Sequence, residues 1–210
     1  MQLIIGDKAY SSWSMRPWVL MRHFGIAFDE TRIALREPDT RERILAFSPS
    51  GKVPCLIDDR GQAIWDSFAI AETLAERYPA LGLWPAEPGA RARARSISAE
   101  MHAGFAALRS EMPMDVRASR PGLVVSAAAL ADVARIDAIW RECLAASGGP
   151  FLFGAFSIAD AMYAPVASRF VTYAPTLSAE AAGYVERLIA LPAVAAWLDG
   201  ARHETRSIAL

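Results

Sequence analysis

Four short stretches of this 210-residue chain set reactive or anion-binding side chains at junctions where backbone polar groups are left over. The first is SSWSMRPW, Ser11 to Trp18, three serines and an arginine between the apolar run LIIG (Leu3 to Gly6) and a helical spacing. A serine hydroxyl at a helix N-terminus either caps free N–H groups or helps to hold an anion there. In the second, SPSGKVPCL (Ser48 to Leu56), Pro54 stands at the mouth of a strand, where a residue without an N–H cannot join the ladder. This is either an edge strand opening on proline or a cis Val53–Pro54 bond. A cis bond turns the Val53 N–H and C=O outward, to pair with an extended peptide by strand addition. In the third, WDSFAIAETLAERYP (Trp65 to Pro79), Asp66 and Ser67 sit where a strand gives way to a helix. They are a plain N-cap, or a site for an amino-acid head group. Ser67 would bond the carboxylate and Asp66 would accept from the ammonium. The fourth, GAFSIADAMYAPV (Gly154 to Val166), spaces Ser157 and Asp160 as the acidic variant of a capping box. Asp160 reads as a buried carboxylate on the first turn's N–H groups, specifying the fold and doing no chemistry.

The remaining composition narrows the chemistry. A net charge of −1 lacks the basic excess with which nucleic-acid binders displace counterions. Cys55 and Cys143 form no disulfide framework, and His23, His102 and His203 are too scattered for a zinc site, so no metal is expected. Asp7 and Lys8 interrupt the apolar N-terminus. No signal peptide, membrane span or membrane partner is expected, and the default compartment is the cytoplasm.

The elements that must position these groups follow from periodicity. Strands are predicted over 3–5, 28–35, 53–57 and 63–65, with a hairpin turn at 58–61. Helices are predicted over 15–24, with Pro17 in the first turn, and over 40–47 and 68–78, the last stopped by Pro79. The order β-α-β-α-β-β-α makes the first two strands parallel and the last two a hairpin. After a connector, LGLWPAEPG (Leu81 to Gly89), no strand pattern remains, and helices are predicted over 90–111, 126–146, 157–171, 179–190 and 193–202. The reading is an α/β domain over 1–80, a linker over 81–89 and an all-helical domain over 90–210.

In their order and spacing, the serine cluster, the S-P-x-G-K-V-P stretch, D-S opening a helix and the S-x-A-D box resemble the cytosolic glutathione transferase family. The resemblance implies a thioredoxin-like domain followed by a helical one. It implies that the Val53 backbone, held by cis-Pro54, pairs with the cysteinyl unit of glutathione. Asp66 and Ser67 would hold the γ-glutamyl head group, and Lys52 would reach a carboxylate. SSWSMR is similar to the S-S-C-S-W-R stretch of the zeta class, which places Ser11 as the thiolate-steadying hydroxyl and Ser12 beside it. Tyr10 adjoins the cluster, and other classes use a tyrosine in this role. Trp13 stands where the zeta stretch has cysteine.

An electrophile site would lie between the domains, with Trp13 on one wall and Met101, His102, Phe105 and Arg109 on the other, or with Met101 and Phe105 simply in the core. The implied activity is attack of glutathione thiolate on a small, mostly apolar electrophile, by a homodimer. The alternatives are a zeta-like isomerase of an unsaturated diacid, which basic groups such as Arg16 or Arg109 would favour, and a binding protein that keeps the fold without the chemistry.

Overall fold

A computed structural model describes residues 1–208. The chain opens with β1 (Gln2–Ile5), α1 (Ser12–His23), β2 (Asp29–Arg32), α2 (Thr40–Leu45), β3 (Cys55–Ile57), β4 (Ala63–Ile64) and α3 (Ser67–Arg77). The four strands form one sheet in the order β2-β1-β3-β4. β1 runs parallel to β2 and antiparallel to β3, and β3 and β4 are antiparallel neighbours. The expected parallel pair and hairpin are both present. Strand alternation sorts the side chains of β1. Leu3 and Ile5 join the main core with α1 and α3, whereas Ile4 packs on the other face with Ile33, Ile44 and Cys55.

Six helices follow: α4 (Pro88–Ala103), α5 (Ala106–Glu111), α6 (Ala127–Ser147), α7 (Ile158–Tyr173), α8 (Ala179–Ala190) and α9 (Pro192–Arg202). α7 is buried along almost its whole length and packs on α1, α4 and α8, so the core runs unbroken between the sheet half and the helical half. Its first turn is the expected capping box. Asp160 is fully buried and accepts from Ser157 N–H (2.9 Å), Ser157 Oγ (3.0 Å), Leu152 N–H (3.1 Å) and Tyr184 Oη (2.9 Å). Among the described residues no single helix is long and apolar enough to cross a membrane.

Two local expectations are corrected. α1 begins at Ser12, because the Ser11 side chain accepts the Ser14 N–H and caps it, so Pro17 lies inside the helix and not in its first turn. An interior proline withholds the N–H that the Trp13 carbonyl would accept. The single helix expected over 90–111 is two. Phe105 adopts a left-handed φ of 60°, and the Gly104 N–H closes α4 on the Glu100 carbonyl at 2.8 Å. A Cβ on Gly104 would meet that same carbonyl oxygen at 2.8 Å, so the junction requires glycine. α5 then takes a new cap from Asp132, which accepts the Leu108 N–H at 2.9 Å.

Candidate active site

Three of the four motifs converge on one cavity of about 460 Å³, lined by Trp13, Ser50, Lys52, Val53, Pro54, Trp65, Asp66, Ser67 and His102. The Ser48–Lys52 turn leads into it. Gly51 has a φ of 64° and returns its N–H to the Ser48 carbonyl, while the Ser50 hydroxyl receives the Lys52 N–H at 3.2 Å. The next bond, Val53–Pro54, is cis. The Val53 N–H and C=O have no hydrogen-bond partner among the described residues. Cys55 turns away into the sheet, fully buried, with its Sγ on the Phe47 carbonyl, and burial pushes its thiol pKa up.

On the facing wall, α3 opens at Ser67. Asp66 is its N-cap, with Oδ1 accepting from Phe68 N–H at 3.0 Å. The Trp65–Asp66 bond is also cis. The Ser67 hydroxyl is fully buried and has no partner among the described residues. An unpaired buried hydroxyl at a helix N-terminus is a donor awaiting an acceptor. Asp66 Oδ2 meets His102 Nε2 at 3.1 Å, so α4 touches the head of α3 across the cavity. His102 also sets its ring edge on Trp13, with centroids 5.2 Å apart.

The serine cluster stands at the N-terminus of α1. Ser11 is buried and donates to Ser14 Oγ at 2.7 Å, and Ser14 Oγ also accepts the Gly6 N–H at 3.1 Å. Ser12 is buried, and its hydroxyl has no hydrogen bond among the described residues. The Tyr10 hydroxyl is turned to Arg117, which donates to it at 2.6 Å; of the cluster only Trp13 lines the cavity, and Tyr10, Ser11 and Ser12 lie outside its lining.

The expected electrophile wall is only partly assembled. Trp13 and His102 line the cavity, whereas Met101 continues the buried stripe of α4 (Ala94, Ile97, Ser98), and Phe105, past the end of α4, is also buried in the core. Arg109 folds back onto the Gly104 and Met101 carbonyls, with its guanidinium 4.6 Å from the Trp13 ring centroid. Arg16 is 4.3 Å from the same centroid, and its Nε and Nη1 are buried with no partner among the described residues. Burial, then the charges of Arg109 and Arg169, holds the Arg16 pKa well below the usual arginine range. Arg169 is pushed down to about 9, mainly by burial, and donates to the Met112 and Pro165 carbonyls. Two cavity-wall residues, Ser50 and Trp65, lie inside the quoted motifs, whose reading gives them no role.

A larger cavity of about 620 Å³ lies elsewhere, among residues 122–134 and 173–178. Its charged groups are already paired: Asp137 accepts from the Ser178 N–H and hydroxyl and bridges Arg141. The cavity of about 460 Å³, with its unpaired groups, is therefore the candidate site.

A mixed four-stranded sheet carrying a cis-proline loop, followed by a helical half that closes one wall of the cavity, defines a thioredoxin-like protein with an appended helical domain. Residues 10–77 match the family described as glutathione S-transferase, N-terminal domain, and residues 90–200 match glutathione S-transferase, C-terminal domain, and the chain belongs to the glutathione S-transferase family.

Over nearly its full length the chain is similar to a glutathione transferase homolog from Burkholderia gl BGR1 with bound glutathione. The TM-score is 0.73 and the identity 25%, covering 96% of this chain and 97% of that one. It is also similar to a sphingomonad glutathione S-transferase complexed with glutathione (TM-score 0.69, 26% identity, 97% and 100% covered). A probable maleylacetoacetate isomerase of Caenorhabditis elegans is 30% identical over 103 residues, 49% of this chain and 47% of that protein. The maleylacetoacetate isomerase of Pseudomonas aeruginosa is 46% identical over 55 residues, 26% of each. The chain thus spans about half or less of the length of these curated relatives in the matched regions.

Proposed function

We propose that the protein is a glutathione transferase that binds glutathione in the cavity between the cis-proline loop and α3 and presents its sulfur as a thiolate. The observation that carries this reading is the set of unpaired groups facing one cavity: the Val53 backbone and the buried Ser67 hydroxyl. Each matches a part of a γ-glutamyl tripeptide. Val53 pairs with the cysteinyl backbone, and Ser67 and the N-terminus of α3 take the γ-glutamyl carboxylate. Asp66 takes the ammonium and Lys52 the other carboxylate.

Ser11, with Ser12 beside it, is the proposed donor to the sulfur. In this structure the Ser11 hydroxyl donates to Ser14 Oγ at 2.7 Å. The proposed role requires that this proton be exchanged from Ser14 to the sulfur when glutathione binds. A free cysteine thiol titrates near about 8.5, so hydrogen bonding and the dipole of α1 need supply only about one to two units. The thiolate then attacks a small electrophile, and Trp13 and His102 border it. The division into a glutathione-binding unit over 1–80, a linker over 81–89 and an electrophile-side unit over 90–210 belongs to the same proposal, as do a homodimer, a cytoplasmic location and a role in detoxification.

The test is a pH titration of thiolate absorbance for bound glutathione. The wild type is expected to show a thiol pKa about one to two units below the free value, and Ser11→Ala to restore most of the difference. A lowered pKa that Ser11→Ala leaves in place moves the role to Ser12. No binding favours a protein that keeps the fold without the chemistry.

One observation favours a second reading. Two guanidiniums, Arg16 and Arg109, pack on Trp13 with no carboxylate bonded to either among the described residues, which raises the positive potential beside the cavity. An acid-bearing electrophile suits that potential, in line with a glutathione-assisted isomerase. Turnover of an unsaturated diacid without net loss of glutathione separates this reading from conjugation.

A further inference from the structure

The loop that delivers Ser11 is held from outside its own half of the molecule. Between β1 and α1, residues 7–11 make a tight turn in which the Tyr10 and Ser11 N–H groups both return to the Asp7 carbonyl, at 3.1 and 2.8 Å. That leaves the N–H and C=O groups of Lys8 and Ala9 without local partners. All four are taken up by the helical half. The Lys8 carbonyl accepts from Trp197 Nε1 of α9 at 3.1 Å, and the Ala9 carbonyl accepts the Val116 N–H at 3.1 Å. The two successive N–H groups both point at one carboxylate, that of Glu204, just after α9. Lys8 N–H meets Oε1 at 2.8 Å and Ala9 N–H meets Oε2 at 3.0 Å.

Glu204 is built into this position. Its side chain is only 4% exposed, and Oε1 also receives Arg32 Nη1 at 2.8 Å. Arg117 donates to the Glu204 carbonyl and to the Tyr10 hydroxyl, tying the same segment to the loop a second time. Two residues on, Arg206 donates to the buried Asp7 carboxylate at 2.8 Å and to the Leu35 carbonyl at 2.6 Å. A pair of adjacent backbone N–H groups gripping a carboxylate is a stiff, directional contact, since both bonds are charge-assisted and share one plane of acceptors.

We propose that Glu204 is a positioning residue for thiolate formation: by holding the Lys8 and Ala9 N–H groups it fixes the turn that sets the Ser11 hydroxyl at the head of α1. This inference rests on the glutathione reading above. Glu204 does not line the cavity, so it acts on the sulfur only through the loop. Its loss lets Ser11 sample orientations in which its proton misses the sulfur, while the Val53, Asp66 and Ser67 contacts to the tripeptide are untouched. The thiolate-forming step therefore suffers and glutathione affinity does not.

The experiment compares Glu204→Ala, Glu204→Gln and Arg32→Ala with the wild type, reading the pKa of bound glutathione by thiolate absorbance and the glutathione KM and kcat with a chromogenic aryl halide. Glu204→Ala is expected to raise the bound-thiol pKa by about one unit and lower kcat about tenfold, with KM changed less than about twofold. Glu204→Gln keeps one acceptor oxygen and is expected to fall between the two; it decides on the same readout if the alanine variant does not fold. Arg32→Ala removes only the half-exposed partner and is expected to leave the thiol pKa unchanged. A bound-thiol pKa that neither Glu204 variant moves overturns the inference alone. A wild type that binds no glutathione, or binds it with an unshifted thiol, overturns the glutathione reading and this inference with it.

Discussion

Asp160→Ala is expected to cost on the order of 3–5 kcal/mol of folding stability, enough to unfold a large share of the protein at growth temperature. The carboxylate is fully buried at the start of the most buried helix, and four donors converge on it within 2.9–3.1 Å. Alanine leaves the Leu152 and Ser157 N–H groups and the Tyr184 hydroxyl buried and unpaired, at about 1–3 kcal/mol each before relaxation. A companion pH effect has a defined sign. Burial pushes the Asp160 pKa up to about 6 from an ordinary value of 3.8. The folded state therefore binds a proton more tightly than the unfolded chain between those values. This contribution is fully present below the unfolded value and is lost as pH rises through about 6. The margin of wild type over Asp160→Ala, from urea melts, is thus expected to widen by about 1 kcal/mol between pH 7.5 and pH 5. Equal midpoints at neutral pH would show that Asp160 is no keystone, and a margin that narrows in acid would reverse the linkage.

Ser67→Ala is the counterpart with a large effect on binding and almost none on folding. The hydroxyl is buried and makes no hydrogen bond within the described protein, so its removal deletes no native contact. A hydrogen bond to a charged ligand group is worth about 1.5–3 kcal/mol, which is roughly ten- to a hundredfold in the Kd for glutathione. Calorimetric titration with glutathione alongside a thermal melt separates the two terms. A variant that binds like the wild type would remove Ser67 from the head-group site. A large fall in Tm would mean that the hydroxyl serves the fold.

Much of the fold was legible because its signals are local. Short apolar runs, one alternating stretch and a hairpin turn marked the sheet half, although the alternating stretch is a strand only over Asp29–Arg32, and Ser157 with Asp160 announced the start of α7. The motif residues that meet in the cavity were legible for the same reason, since each sits at an element junction whose backbone chemistry is written in neighbouring residues. What escaped depends on distance. The break between α4 and α5 rests on one left-handed residue, Phe105, inside an otherwise helical pattern, and on an Asp132 cap supplied from α6. Met101 lies in the core on the buried stripe of α4, His102 one position on reaches the cavity, and Phe105, at the break, is buried as well. The partners of the Ser11 loop come from residues more than a hundred positions away, Val116, Trp197 and Glu204, and no spacing rule links them. The Tyr10 hydroxyl, open as an activator on sequence alone, is accounted for only by Arg117.

Trp13 on the cavity wall has a consequence for the durability of the protein. Both thiols of the chain, Cys55 and Cys143, are buried, burial pushes both pKa values up, and neither borders the cavity. The thiolate is the reactive form of sulfur, so under the proposed chemistry the only armed sulfur in the site is the one that arrives with glutathione and leaves with the product. An alkylating substrate is therefore expected to leave the catalyst unmarked. The intact mass should be unchanged after many turnovers with an aryl halide, and an added adduct mass on the protein would contradict this. A cysteine in place of Trp13 would put a thiol of the protein's own beside that substrate; the indole puts none there.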